Sequence, residues 1–110
     1  MLAHDARIQY RKLDFAAAGR ILNEAPAAVM LDVRSEEEFI TGHAAGAVLL
    51  PYDEVTADSA AAAIGSKDTP VLVYCRTGRR SRIAAEALLR LGYTRVYDLG
   101  SLTGWPYGTE

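Results

Sequence analysis

The sequence has only one cysteine, Cys75, in 110 residues. Without a second cysteine the chain cannot form an intramolecular disulfide or a cysteine-rich zinc site. It also lacks a resolving thiol, which excludes mechanisms that need two thiols in one chain. Any reaction at Cys75 must therefore proceed without another cysteine of the same chain.

An excess of basic residues is also absent, because 12 Lys and Arg stand against 14 Asp and Glu and the formal net charge is −2. This balance excludes the broad positive field that binds nucleic acid or anionic membranes, and it favours a small molecule or a protein as partner. No apolar run approaches the ~18 residues of a membrane span. The N-terminus lacks the basic start and apolar core of a secretory signal. We expect a soluble, cytoplasmic protein whose thiol stays reduced.

Short apolar segments alternate with amphipathic ones along the chain. Strands are predicted at residues 10–13, 29–33, 47–50, 71–74 and 95–99. Four helices are predicted. The first follows Asp14, which serves as its N-cap, and the second begins at the capping box of Ser35 and Glu38. The third covers residues 53–64, and the fourth ends at Gly92. His4 lies in a terminal segment that we expect to be mobile.

Strands that alternate with helices form βαβ units. The sequence therefore predicts a single α/β domain over residues 1–110, with a central, mostly parallel five-stranded sheet and helices on both faces. Ligands of such sheets bind at the carboxyl ends of the strands. Asp32, Cys75 and Asp98 are predicted to lie there, with the two aspartates bracing neighbouring loops.

The segment over residues 75–81 joins the most apolar strand to a helix, which places the thiol of Cys75 at a helix N-terminus. Backbone N–H groups converge on an anion at such a position, and Gly78 allows the tight turn. Four arginines follow the cysteine within seven positions and lower the pKa of a thiol further: Arg76, Arg79, Arg80 and Arg82. A buried structural cysteine is normally followed by apolar residues, so the pattern favours a nucleophilic thiolate.

The loop length distinguishes between two classes of anionic substrate. Cysteine phosphatases place five residues between the cysteine and an arginine that binds phosphate, and Ser81 occupies that arginine's position here. Arg80 comes one residue earlier, so the loop is short and better sized for one sulfur atom than for a phosphoryl group.

Three segments in order resemble the rhodanese (thiosulfate sulfurtransferase) family, specifically its single-domain members. They are the active-site loop at residues 75–81, the upstream stretch at residues 31–51, and Leu99-Gly100 followed by Gly104-Trp105. The match covers about residues 29–106. Trp105 is expected to pack the C-terminal segment onto the body of the domain.

The resemblance implies a sulfurtransferase in which Cys75 attacks the outer sulfur of thiosulfate, becomes a persulfide, and passes the sulfur to cyanide or to a thiol, including one of an acceptor protein. It implies no cofactor and no metal. The substrate-binding residues would be those of the loop: Arg76, Thr77, Gly78, Arg79, Arg80 and Ser81.

Three upstream polar residues are interpreted as structural support. Asp32 and Arg34 are expected to brace the sheet edge through ion pairs with nearby helices. His43 is expected to make a structural hydrogen bond, because a thiolate formed by its surroundings needs no general base.

Two other functions remain open from the residues alone. One is a phosphatase-like or arsenate-reductase-like enzyme on the same architecture, which Ser81 at the closing position disfavours. The other is a non-enzymatic rhodanese-like module for binding or redox sensing.

Overall fold

The computed structural model describes residues 10–110, so His4 lies outside the described residues. Its strands are β1 (Val29–Asp32), β2 (Val48–Leu49), β3 (Val71–Cys75) and β4 (Val96–Ser101). They form one sheet in the order β2-β1-β3-β4, and every neighbouring pair is parallel. The predicted α/β fold with a parallel sheet is confirmed.

The predicted strand at residues 10–13 is reduced to a single bridge, between Lys12 and Asp98. Its backbone makes two hydrogen bonds with β4, from Leu13 N to Asp98 O at 3.0 Å and from Asp98 N to Arg11 O at 2.8 Å. Asp14 then caps the next helix, so the chain turns away from the sheet edge after one residue pair. The sheet therefore has four strands within residues 10–110 where five were predicted.

The helices are α1 (Phe15–Glu24), α2 (Glu36–Ile40), α3 (Ala57–Ile64) and α4 (Arg79–Arg90). The two predicted caps are confirmed, because Asp14 accepts from Ala17 N at 2.8 Å and Ser35 forms a capping box with Glu38. No helix within residues 10–110 has the length and apolar character to cross a membrane.

The predicted helix over residues 53–64 is wrong at its start. A short 3-10 turn, Tyr52–Glu54, is followed by extended backbone at Val55 and Thr56 before α3 begins. The Thr56 side chain accepts from Ser59 N, and the Ser59 side chain accepts from Thr56 N. This reciprocal cap fixes the later helix start and was visible in the sequence as Thr-x-x-Ser.

The sheet is covered on both faces, as predicted. One apolar cluster joins α3 and α4 to the sheet, and the other joins α1 and the C-terminal segment to the opposite face. Side chains of β3 alternate between the two, with Val73 and Cys75 in the first cluster and Leu72 and Tyr74 in the second. The side chain of Cys75 is thereby turned towards α4, and that of Tyr74 is turned away from it.

The C-terminal segment, residues 102–110, returns across the molecule. Trp105 contacts Phe15 of α1 edge-to-face, with ring centroids 5.1 Å apart, which is the packing predicted for it. Farther on, Thr109 forms an antiparallel bridge with Ala44. The segment therefore lies beside the loop that precedes β2, near the carboxyl end of the sheet.

Candidate active site

Cys75 is the last residue of β3, and α4 begins four residues later at Arg79. Gly78 is the N-cap of α4 with φ of 103°, a left-handed conformation that favours glycine. The turn aims two amides at the thiol: Sγ accepts from Gly78 N at 3.0 Å and from Ser81 N at 3.3 Å. Strand end, left-handed glycine and helix start together build an anion-binding cup around the sulfur.

The thiol is 1% exposed, and its surroundings favour the thiolate. Burial raises the pKa of Cys75, but hydrogen bonds from the Ser81 side chain and from the amides of Ser81, Gly78 and Thr77 lower it by more. The pKa of Cys75 is therefore lower than that of an ordinary thiol. A lowered pKa favours the thiolate, which is the form of cysteine that acts as a nucleophile.

A cavity of about 290 Å³ opens at the thiol. Its lining contains two cationic side chains, Arg34 and Arg76, and no carboxylate. The complete lining is Arg34, Gly42, His43, Tyr74, Cys75, Arg76, Ser101, Leu102, Thr103 and Thr109. One wall belongs to the C-terminal segment, through Leu102, Thr103 and Thr109, whereas Trp105, the residue of this segment that the sequence singled out, does not line the cavity.

The arginines of the loop have different surroundings. Arg76 is exposed and lines the cavity, and it makes no ion pair within residues 10–110. Arg80 instead donates to both carboxylate oxygens of Glu38, at 2.7 and 2.9 Å. Arg79 lies with its guanidinium 5.8 Å from the Tyr52 ring centroid. Of these three predicted donor-binding arginines, only Arg76 borders the cavity at Cys75.

The Glu38–Arg80 pair ties the active-site loop to α2. The guanidinium of Arg80, together with hydrogen bonds from Ser35, holds the pKa of Glu38 well below its usual range. In the sequence Glu38 is marked by its capping box with Ser35 and by its place in the upstream segment that resembles the rhodanese family. Its second role could not be found there, since its partner lies 42 residues along the chain.

Asp32 and Arg34 pair with each other, so the predicted ion pairs with nearby helices are wrong. Arg34 Nη2 lies 2.6 Å from Asp32 Oδ2, and Nε lies 2.9 and 3.1 Å from the two carboxylate oxygens. The buried Tyr74 hydroxyl donates to Asp32 at 2.6 Å and accepts from Ala44 N at 3.0 Å. Asp32 and Tyr74 are partners in the sheet register, so their side chains lie on the same face of the sheet.

Comparison with known proteins identifies the family. A family model described as rhodanese-like domain matches residues 16–106. The chain belongs to the rhodanese-like domain family. It is 40% identical over 72 residues to thiosulfate sulfurtransferase PspE of Escherichia coli K12. The matched region covers 66% of this chain and 68% of PspE.

Solved structures agree with this assignment. A structure described as rhodanese with anions from E. coli matches with a TM-score of 0.70 and 35% identity, over 76% of this chain and 96% of the other chain. A rhodanese-related protein from Thermoplasma volcanium matches with a TM-score of 0.72 and 29% identity, over 92% and 98% of the two chains.

His43 lines the cavity at Cys75 and is held in place by its neighbours. Its Nδ1 lies 2.8 Å from Phe39 O, and its ring stacks on that of Phe39 with centroids 3.7 Å apart. Its Nε2 lies 3.6 Å from a carboxylate oxygen of Glu110. The ring is thus bound to the end of α2 and to the C-terminal segment.

Asp98 does not lie at a strand end. It is buried within β4, where it accepts from the Tyr10 hydroxyl and, at 2.8 Å, from Gly100 N. The prediction that Asp98 lies at the carboxyl edge is therefore wrong, because β4 continues past Asp98 to Ser101. Its contacts brace the backbone of β4 at Gly100, where the register with β3 shifts, and it does not line the cavity at Cys75.

Proposed function

We propose that this protein is a sulfurtransferase that takes sulfane sulfur from thiosulfate, carries it as a Cys75 persulfide, and gives it to cyanide or a thiol. The observation that carries the proposal is the Cys75 sulfur itself, which accepts from two backbone amides at the start of α4 and faces a cationic cavity. Membership of the rhodanese-like family and the likeness to a thiosulfate sulfurtransferase support it.

In the first step the Cys75 thiolate attacks the outer sulfur of thiosulfate. A bond forms between Sγ and that sulfur, the sulfur–sulfur bond of thiosulfate breaks, and its electron pair leaves with sulfite. The product is a persulfide anion. The amides of Gly78 and Ser81 donate to Cys75 Sγ before the reaction begins. In that position they stabilise negative charge on sulfur.

In the second step the acceptor attacks the terminal sulfur of the persulfide. Cyanide leaves as thiocyanate and a thiolate leaves as a persulfide, and in both cases the electron pair of the broken bond restores the Cys75 thiolate. Because Cys75 is the only cysteine of the chain, no internal thiol can resolve the persulfide. Sulfur must therefore leave to an external acceptor, and we place this reaction in a reducing cytoplasm.

Mass spectrometry of the intact protein tests the proposal. Incubation with thiosulfate and removal of the excess is expected to add about 32 Da, one sulfur atom, to the wild-type chain and nothing to Cys75→Ser. Subsequent cyanide is expected to remove the added mass and release thiocyanate. A wild-type chain that gains no mass from thiosulfate but hydrolyses a chromogenic phosphate ester would reverse the assignment in favour of a phosphatase.

A further inference from the structure

Arg34 lies two residues past the end of β1 at Asp32 and is one of the residues that line the cavity at Cys75. Two of its three nitrogens are used by the fold. Nε donates to Asp32, and Nη2 donates to Asp32 at 2.6 Å and to Gly42 O at 2.7 Å. The third nitrogen, Nη1, makes no hydrogen bond within residues 10–110 and is accessible to solvent. One pair of N–H donors therefore remains free for a ligand.

The same contacts hold the guanidinium in one orientation. Its side chain is 16% exposed, and its partner Asp32 is fully buried. The group also lies 5.6 Å from the ring of Tyr74, the residue before Cys75. A guanidinium bound on two sides loses little conformational entropy when its remaining donors meet an anion.

Arg34 and Arg76 contribute to the cavity in different ways. The charge of Arg34 is balanced by Asp32, so the pair adds little net field, and Nη1 acts through directed hydrogen bonds. Arg76 is exposed and has no ion pair within the described part of the chain, so it acts through its net charge. The two contributions are separable, because salt screens an exposed charge much more than a hydrogen bond in a partly enclosed site.

We propose that Nη1 of Arg34 binds the sulfonate oxygens of the sulfur donor while the donor's outer sulfur lies at Cys75 Sγ. The inference rests on the proposed sulfurtransferase function and makes Arg34 a donor-specificity residue, where the sequence indicated only structural support. The ligand class is a small sulfur oxyanion with a sulfonate group beside the transferable sulfur. The leaving sulfite keeps those oxygens, so Arg34 acts in the donor step and not in transfer to the acceptor.

Single-turnover kinetics of Arg34→Gln test this assignment. At subsaturating thiosulfate, persulfide formation is expected to slow at least about tenfold, because the KM for the donor rises. This is the size of effect expected when hydrogen bonds to a charged group are lost. Reaction of the preformed persulfide with cyanide is expected to stay within about twofold of wild type. The defect is expected to persist at high ionic strength.

The matched control is Arg90→Gln, which removes one positive charge at the other end of α4. Arg90 is exposed and lies about 16 Å from the start of that helix, from the rise of 1.5 Å per residue. This variant is expected to form and discharge the persulfide at wild-type rates. Alkylation of Cys75 by neutral iodoacetamide gives an internal control in every variant, since it reports the thiolate without a sulfonate.

Removing Arg34 leaves the buried Asp32 carboxylate without its cation, so the double variant Asp32→Asn/Arg34→Gln is measured alongside. The proposal requires that this variant also loses the donor step selectively. Persulfide formation at the wild-type rate in a folded Arg34 variant would overturn it, as would an equal loss of donor step, cyanide step and alkylation. A wild-type chain that takes no sulfur from thiosulfate would instead overturn the proposed function.

Discussion

Arg34 lines two cavities with opposite electrostatic character. The smaller, of about 290 Å³, contains Cys75 and has no carboxylate in its lining. The larger, of about 400 Å³, is lined by three carboxylates and the Leu49-Leu50-Pro51 segment. Those carboxylates belong to Glu36, Asp53 and Glu54. Size therefore does not select the site, whereas the nucleophile and the absence of negative charge do.

The two cavities also receive different arginines from the same loop. Arg76 projects to the smaller one and keeps its charge free of ion pairs within residues 10–110. Arg80 lines the larger one and is matched by Glu38. A cluster of arginines in sequence is thus divided by the fold into a residue that attracts anions and a residue that anchors the loop.

Replacing the nucleophile gives the largest expected effect. Cys75→Ser keeps the shape and the charge of the smaller cavity and removes its reactive sulfur. Thiocyanate formation from thiosulfate and cyanide is expected to fall at least about a thousandfold, because a serine hydroxyl is a far weaker nucleophile at neutral pH. A variant that keeps the wild-type rate would show that the cavity acts without Cys75.

Introducing a carboxylate into the smaller cavity makes it resemble the larger one. Arg76→Glu is expected to raise the KM for thiosulfate about tenfold at low salt, since a donor dianion then meets repulsion in place of attraction. The increase is expected to shrink towards wild type at about 0.5 M salt. Arg90→Glu is the matched control, and an equal KM in the two variants would contradict the role given to Arg76.

Removing the Glu38–Arg80 ion pair is expected to have a moderate effect on the free energy of unfolding. Glu38→Gln is expected to reduce the free energy of unfolding by about 1 kcal/mol at pH 7, the upper end for a partly exposed pair. Both side chains are about a quarter exposed, at 27% for Glu38 and 22% for Arg80. The measurement is urea denaturation of both proteins at several pH values.

The pH dependence of that difference has a definite sign. The pKa of Glu38 is lowered by Arg80 in the folded state, so its contribution is complete above the unfolded pKa of about 4.3 and is lost as the pH falls towards the folded pKa. The wild-type advantage over Glu38→Gln is therefore expected to narrow below about pH 4. A constant difference from pH 7 to pH 3 would contradict this assignment.

Changing the larger cavity gives the smallest expected effect. Glu54→Gln removes one of its carboxylates and leaves the lining of the smaller cavity unchanged. The KM for thiosulfate is expected to stay within about 1.5-fold of wild type at physiological salt, because Glu54 is exposed to the screening solvent and does not line the cavity at Cys75. A larger change would show that thiosulfate also enters through the larger cavity.

Local signals in the sequence predicted the features that depend on neighbours along the chain. Asp14 and the Ser35/Glu38 box mark helix starts because each cap bonds an amide three residues away. The Thr56 cap has the same local basis, and recognising it would have corrected the start of α3. The strand predicted at residues 10–13 failed because pairing at a sheet edge depends on where the chain turns next, which Asp14 decided.

The sequence by itself marked Cys75 as the candidate nucleophile and predicted the anion-binding turn at Gly78, since both depend on residues within a few positions of one another. Only the tertiary structure decided that Arg80 meets Glu38, that Arg34 lines the cavity at Cys75, and that the C-terminal segment forms a wall of that cavity. The physical reason is that an arginine is equally charged wherever it stands in the sequence. Which carboxylate it meets depends on a parallel sheet and a returning C-terminal segment that bring together residues tens of positions apart.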